Sequence, residues 1–332
     1  NAPFFILPFT MLARLPYSWA YLFWVLLSVA LYVAGFSLIL RTLEGIPPEA
    51  KFTALLLALS FMPFLVECLA GGQTSAVAFF CLALTIHLER RGYQILGGLA
   101  LSLCAYKPTL LLLIVPMLLV TRRYLTLLGF LAGCALLALV SLVMVGWQGC
   151  LGYLNTLLYF TNASTSSASG LRSWKYVDIN SFFRLLVGNH PYLRWALTAG
   201  AFLFTLPFLL KYWWKSPGKQ PNGQSLDWAL AITWTLVLNL YLGIYDTTLV
   251  VLSVLLTTNA FHRAEAKNRL WLPASYRLIL LLLYVVPWIT QPIVRLTNLQ
   301  IYTVVLALLG SWQLVRFGAI AKGLSLNDKT PQ

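Results

Sequence analysis

Between Trp19 and Val315 the chain is built from apolar runs of 15 to 24 residues, at 17–40, 52–70, 74–88, 125–146, 195–213, 228–244, 247–261, 273–290 and 299–316. A helix rises about 1.5 Å per residue, so about 20 apolar residues cross a hydrocarbon layer of roughly 30 Å. Inside that layer every backbone N–H and C=O needs an internal partner, and runs of this kind meet the demand as helices. Sixty per cent of the 332 residues are hydrophobic and only 10% are charged, too few polar side chains to cover a water-soluble surface. The expected fold is all-α: a polytopic transmembrane helix bundle of about ten spans forming a single domain over residues 1–332. An outer loop with interfacial helices is expected at 147–192 and a cytoplasmic tail at 317–332. The chain opens on Asn1 without an initiator Met, a basic leader or a cleavage site, and reads as lacking its natural start.

Two further runs, 94–105 and 108–120, are too short to span, reaching only about 18–20 Å as helices. Arg90 and Arg91 precede the pair and Arg122 and Arg123 follow it. With both basic clusters on the cytoplasmic side, the two runs form a re-entrant helical hairpin with Lys107 and Pro108 at its buried tip. Alternating from a cytoplasmic Arg41 places sixteen of the 23 lysines and arginines on that side, as ordinary basic anchors. The net charge of +14 then reports orientation and contact with anionic lipid, and excludes a nucleic-acid footprint. Cys68, Cys81, Cys104, Cys134 and Cys150 lack metal-site spacing and His87, His190 and His262 are isolated, so no metal is expected.

The less ordinary polar residues then gather on the non-cytoplasmic face. The runs 74–88 and 247–261 have only 15 residues, which recesses Gln73 and Asp246 below that surface and, with Lys107, outlines a cavity open outward. Lys107 at membrane depth is costly unless an anion or a carboxylate pairs with it; the alternative is a lysine snorkelling to the interface. Asp246, after Tyr245, either binds substrate or caps the next helix. Glu67 either binds substrate or pairs with Lys107 or Arg295. The Gln73 amide, beside Gly71 and Gly72, binds sugar hydroxyls or satisfies a turn.

The long connection has its own pattern. Trp147, Cys150, Leu151, Leu154, Leu157 and Leu158 form one apolar stripe, as expected of a helix lying in the interface. After a Ser/Thr/Ala/Asn/Gly stretch come Arg172, Trp174, Lys175, Tyr176 and Asp178, cations interleaved with aromatic rings. Such a set suits an anionic group beside a sugar, or an ordinary interfacial belt.

Pro3-Phe4-Phe5, Leu15-Pro16, Gly72-Gln73, Tyr106-Lys107-Pro108-Thr109, Thr121-Arg122-Arg123-Tyr124, Asn180-Ser181 and Tyr245-Asp246 occur in an order that resembles glycosyltransferase family 87. The resemblance implies a GT-C fold and a membrane hexosyltransferase. It would move mannose or another hexose from a polyprenyl-phosphate donor to a glycolipid or glycan acceptor on the non-cytoplasmic face of the plasma membrane. The lipid-linked donor is the co-substrate and no cofactor or metal is implied; the partners are membrane lipids, that donor and the acceptor. The substrate-binding set it implies here is Glu67, Gln73, Lys107, Arg172, Lys175, Asn180, Tyr245 and Asp246. The family's catalytic base is expected on a first outer loop upstream of Asn1, and Asp246 is the best carboxylate within the chain, with Glu67 and Asp178 behind it. The alternative from another class is a carrier or flippase for a lipid-linked anion, since re-entrant hairpins also mark transport sites.

Overall fold

The computed structural model describes residues 2–43, 48–163, 173–188, 190–216, 221–264 and 272–321. Its helices are α1 (Leu7–Leu12), α2 (Tyr17–Thr42), α3 (Pro48–Leu59), α4 (Ser75–Arg90), α5 (Gln94–Ser102), α6 (Ile114–Val120), α7 (Tyr124–Ala163), α8 (Ile179–Val187), α9 (Pro191–Lys215), α10 (Pro221–Val237), α11 (Val250–Ala264), α12 (Ala274–Thr297) and α13 (Ile301–Ala321). Among the described residues the only β pairing is an isolated antiparallel bridge between Tyr176 and Gly243. The chain is an all-α polytopic membrane bundle.

The spans differ in number and continuity from the nine apolar runs the hydropathy suggests. Six described helices are long and apolar enough to cross a bilayer, and a bent pair, Glu49–Leu59 with Pro63–Ala70, makes a possible seventh. The expected run 52–70 is therefore not one straight span: its halves meet at 48°. Pro63 has no N–H to continue the helical ladder, and Pro63–Ala70 winds as a π-helix. Its wider turn carries through to Gly71 N, which donates to Val66 O at 3.2 Å, and Gln73 N, which donates to Cys68 O at 2.8 Å. Helices α4 and α10 have 16 and 17 residues. Wrapped in protein rather than lipid, α10 carries buried Ser225, Asp227, Thr233 and Thr235. It ends at Val237, where Asn239 takes over the backbone: its Oδ1 accepts from the N–H of Leu240 at 3.0 Å and of Tyr241 at 3.3 Å.

Gly146 breaks α7 with φ 69 and ψ 176, so the run ending at 146 and the helix beginning at Trp147 are separate elements that meet at this glycine. Trp147, Leu151 and Leu154 are exposed to whatever surrounds the protein, which suits an interfacial helix; the side chains of Leu157 and Leu158 lie outside the described residues. The tail expected from residue 317 begins inside α13, and its part beyond Ala321 also lies outside them.

The hairpin forms as the short runs predict. Helix α5 tightens into a 3₁₀ turn at Leu103–Tyr106, the chain reverses at Lys107 (φ −134, ψ 81), and a second 3₁₀ turn, Pro108–Leu111, leads into α6. Small residues press α5 onto α7. A Cβ on Gly98 would lie 2.0 Å from Thr126 O, and one on Gly129 would lie 2.1 Å from Ile95 O. Close backbone approach of this kind is how small residues hold membrane helices together without a hydrophobic driving force between them.

The opposite end of the bundle is tied by charge. Arg123, expected to be an ordinary basic anchor, is only 8% exposed and pairs with Glu89 of α4 at 3.2 Å and Asp227 of α10 at 2.6 Å. Thr126 Oγ1 and Trp228 Nε1 donate to Glu89 at 2.6 and 2.7 Å, and Ser216 Oγ donates to Asp227 at 2.7 Å. One guanidinium thus joins α4, α7 and α10, with hydroxyls and an indole completing both carboxylate shells.

Candidate active site

Lys107 projects from the hairpin tip to the carboxylate of Asp246, with which it forms an ion pair. Asp246 sits in the 3₁₀ turn Ile244–Leu249, directly before α11. Its other oxygen accepts a hydrogen bond from Ser75 Oγ at 3.0 Å, at the first residue of α4. The Asp246 side chain is 1% exposed and that of Lys107 is 18% exposed, so the acid is compensated from within while the lysine side chain keeps some exposure. The ion pair and the Ser75 bond use both Asp246 oxygens, in place of the capping role the sequence left open. Lys107 also lies 4.7 Å from the centroid of the Tyr245 ring, within cation–π range.

The tip is held rigidly. Tyr106 OH donates to Thr74 O at 2.9 Å, Ala2 N donates to Tyr106 O at 3.3 Å, and the Phe5 ring stacks on Tyr106 at 4.1 Å. The Pro3–Ile6 turn and the start of α4 therefore fix the pivot from two sides. Gln73 precedes this start, but its Nε2 donates to Gly71 O at 3.3 Å, which is the turn-satisfying arrangement. Gly71 has no room for a side chain, since a Cβ would lie 2.3 Å from Glu67 O. Glu67, on the π segment, accepts from Gln291 Nε2 of α12 at 2.5 Å; its partner is this amide rather than Lys107 or Arg295.

Residues 173–181 form a strap across the same end. Val177 N donates to Leu242 O at 3.0 Å, and Asn180 Nδ2 donates to Leu240 O at 2.9 Å. Asp178, fully buried, caps α8 through Ser181 N at 2.8 Å and reaches Leu242 N at 2.9 Å. Burial pushes its carboxyl up to about 6, against the opposing pull of these hydrogen bonds. Asn180 and Asp178 thus fasten the strap to the linker that leads into Tyr245 and Asp246. The Lys175 ammonium lies 5.3 Å from the Trp174 ring, on which the Arg295 guanidinium also stacks at 4.0 Å. Arg172 lies outside the described residues.

The structure therefore gathers Lys107, Tyr245 and Asp246 into one cluster, sets Gln73 and Glu67 beside it on the π turn, and puts Lys175 and Asn180 on the strap. Several participants carried no sequence signal. Ser75 is an unremarkable helix-start serine until it meets Asp246. Tyr241, whose hydroxyl bonds that of Tyr176 with ring centroids 4.3 Å apart, lies in what reads as an apolar run. Gln300 is fully buried and donates to the carbonyls of Trp174 and Tyr176 at 3.2 and 3.1 Å, pinning the strap from α13's side.

Chemically, the cluster offers an ammonium on a partly exposed side chain, a buried carboxylate that fixes it, and a phenol ring within cation–π range. An ammonium has three donors, so the bond to Asp246 leaves two for an anionic ligand. The family model for glycosyltransferase family 87 matches residues 1–238, which include the hairpin and Lys107. The match stops short of Tyr245 and Asp246, which the ion pair connects to it. No curated protein and no solved structure matches the chain. With well over half of its length matched by that one model, this membrane protein belongs to glycosyltransferase family 87.

Proposed function

We propose that the chain transfers a sugar, mannose or another hexose, from a polyprenyl-phosphate donor to a lipid or glycan acceptor on the non-cytoplasmic face of the plasma membrane. The observation that carries this reading is the Lys107–Asp246 pair at the tip of a re-entrant hairpin. In the transfer, an acceptor hydroxyl oxygen bonds to the anomeric carbon while the bond from that carbon to the phosphate oxygen breaks. The bonding electrons leave with the polyprenyl phosphate, and the hydroxyl proton passes to a carboxylate. Lys107 faces the charge that grows on the phosphate. A cation fixed beforehand for that charge pays no reorganisation cost when it develops. Asp246, holding Lys107 and bonded by Ser75, acts as the positioning carboxylate.

A lipid-carried donor also needs a place for hydrocarbon. An apolar cavity of about 450 Å³ lies between α2, α3, α11 and α12, lined among others by Phe36, Phe61, Val250, Val254 and Tyr284. Val250 directly follows the 3₁₀ turn that carries Asp246, so a chain lying in this cavity could present its head group toward Lys107. The sidedness rests on the distribution of Lys and Arg between the two ends of the bundle.

The test is transfer of a labelled sugar from its lipid carrier by the full-length protein and by Lys107→Ala. A loss of about 100-fold or more is expected for removal of a charge-stabilising group of this kind. A well-folded Lys107→Ala protein that transfers sugar at the native rate rejects the role. Movement of labelled lipid across the bilayer without a new glycosidic bond would favour the carrier instead.

A further inference from the structure

At the corner between α8 and α9 a second arginine is buried. Arg194, in the first turn of α9, is 3% exposed, yet its Nε and one terminal nitrogen have no hydrogen-bond partner. Among the described residues no carboxylate pairs with it; the ring of Trp195 lies 5.1 Å from the guanidinium carbon. Arg184, on α8, lies within electrostatic reach and adds a second positive charge rather than compensating the first.

A buried guanidinium without a counter-charge costs several kcal/mol, and a second cation nearby raises that cost. An anion bound there supplies the counter-charge that Arg194 lacks among the described residues. Guanidinium groups match tetrahedral oxyanions through paired, parallel N–H donors, which makes a phosphoryl group the best chemical fit. The surroundings indicate where it comes from. On the same turn of α9, Tyr192 is 90% exposed, Leu193 49% and Trp195 37%, the aromatic and aliphatic surface of a helix end at a membrane interface. Lipid headgroups carry phosphoryl groups at that depth.

We propose that Arg194, supported by Arg184, forms a second anion site that takes the phosphoryl group of an anionic membrane lipid at the α8–α9 corner. The site lies on different helices from Lys107 and does not depend on the glycosyl-transfer reading. It would anchor α8, and through Asp178 the strap, to the bilayer surface.

The test is thermal unfolding of the purified full chain in a neutral maltoside detergent, titrated separately with phosphatidylglycerol, polyprenyl phosphate and inorganic phosphate. The wild-type protein is expected to gain stability with phosphatidylglycerol, and Arg194→Gln to need at least about tenfold more lipid for the same gain, the scale of one charge-assisted contact. Arg184→Gln should show a smaller displacement in the same direction and keeps the proposal open to test if Arg194→Gln does not fold. Stabilisation by inorganic phosphate as well identifies a general phosphoryl site; stabilisation by the lipids alone shows that the hydrocarbon chain is needed. A response to polyprenyl phosphate and not to phosphatidylglycerol overturns the assignment to a membrane lipid. A flat wild-type response to all three ligands, or equal responses in wild type and both variants, overturns the site itself.

Discussion

Lys107 and Asp246 stand 139 residues apart in the chain and form an ion pair in which the acid is buried and the base is partly open. That asymmetry makes the pair a structural joint and a ligand site at once. Deleting one partner strands the other, and stranding a buried charge costs about 3–5 kcal/mol, less here because Lys107 keeps some access to solvent. Asp246→Asn should therefore lower the unfolding temperature measurably, and Lys107→Met should lower it more, since it leaves the buried acid alone. Combining the two should recover much of the stability while sugar transfer stays absent. A double-mutant cycle on unfolding and activity checks this, and restored transfer in the double variant would refute the role of Lys107.

The glycines at the α5–α7 crossing give a prediction about geometry rather than charge. A methyl on Gly129 would meet the Ile95 carbonyl oxygen at 2.1 Å, whereas Gly200 on α9 has nothing within 4 Å. Gly129→Ala must push the hairpin from α7, costing about 1–3 kcal/mol as other overpacked sites do, and it should displace Lys107 with it. Gly200→Ala should be neutral or stabilising by up to about 1 kcal/mol, because it only restricts the unfolded chain. Paired measurements of unfolding temperature and transfer rate test the contrast, and equal effects at the two positions would contradict the packing argument.

Much of this architecture is legible in the sequence because the bilayer imposes simple rules. The pair of short helices meeting at Lys107 follows from two half-length runs between basic pairs, and the break at Gly146 from the change of pattern at Trp147. Less legible are features set by partners distant in sequence. The cost of Lys107 at depth predicts an anion without saying that it is Asp246, or that Ser75 completes the shell. Arg123 reads as one more positive charge at a loop until Glu89 and Asp227 are seen beside it. The motif that contains Asn180 does not show that its Nδ2 donates to Leu240 O, 60 residues away. The bend before Pro63 escapes hydropathy altogether, since a bent helix and a straight one have the same composition.

Asp178 predicts a pH dependence of the strap. Its carboxyl is raised to about 6 chiefly by burial, above an ordinary value of 3.8. A carboxyl raised on folding favours the native state when protonated, so its contribution is complete below about pH 3.8 and is lost as pH rises through about 6. The full swing is about 3 kcal/mol by the usual conversion of pKa into free energy. Wild-type stability, measured against Asp178→Asn, should therefore fall between about pH 4 and pH 6.5 and level off above that. A difference that stays constant over this interval would show that Asp178 does not titrate there.

Arg123 carries the last prediction, at the far end from the candidate site. It is the one cation within ion-pair distance of both Glu89 and Asp227 among the described residues, and both acids are buried. Arg123→Met leaves two carboxylates close together without a counter-charge, and should cost at least about 3–5 kcal/mol, the penalty for breaking one buried pair. Arg123→Lys should recover only part of this, because a single ammonium cannot present the forked donors that reach two acids at once. Replacing all three charges, with Glu89→Gln, Asp227→Asn and Arg123→Met together, removes the uncompensated charge and should be more stable than Arg123→Met alone. If the triple variant also transfers sugar at a near-native rate, the network serves assembly of the bundle. If its stability recovers and transfer does not, the junction of α4, α7 and α10 also governs the setting of the hairpin, which lies between α4 and α7 in the chain.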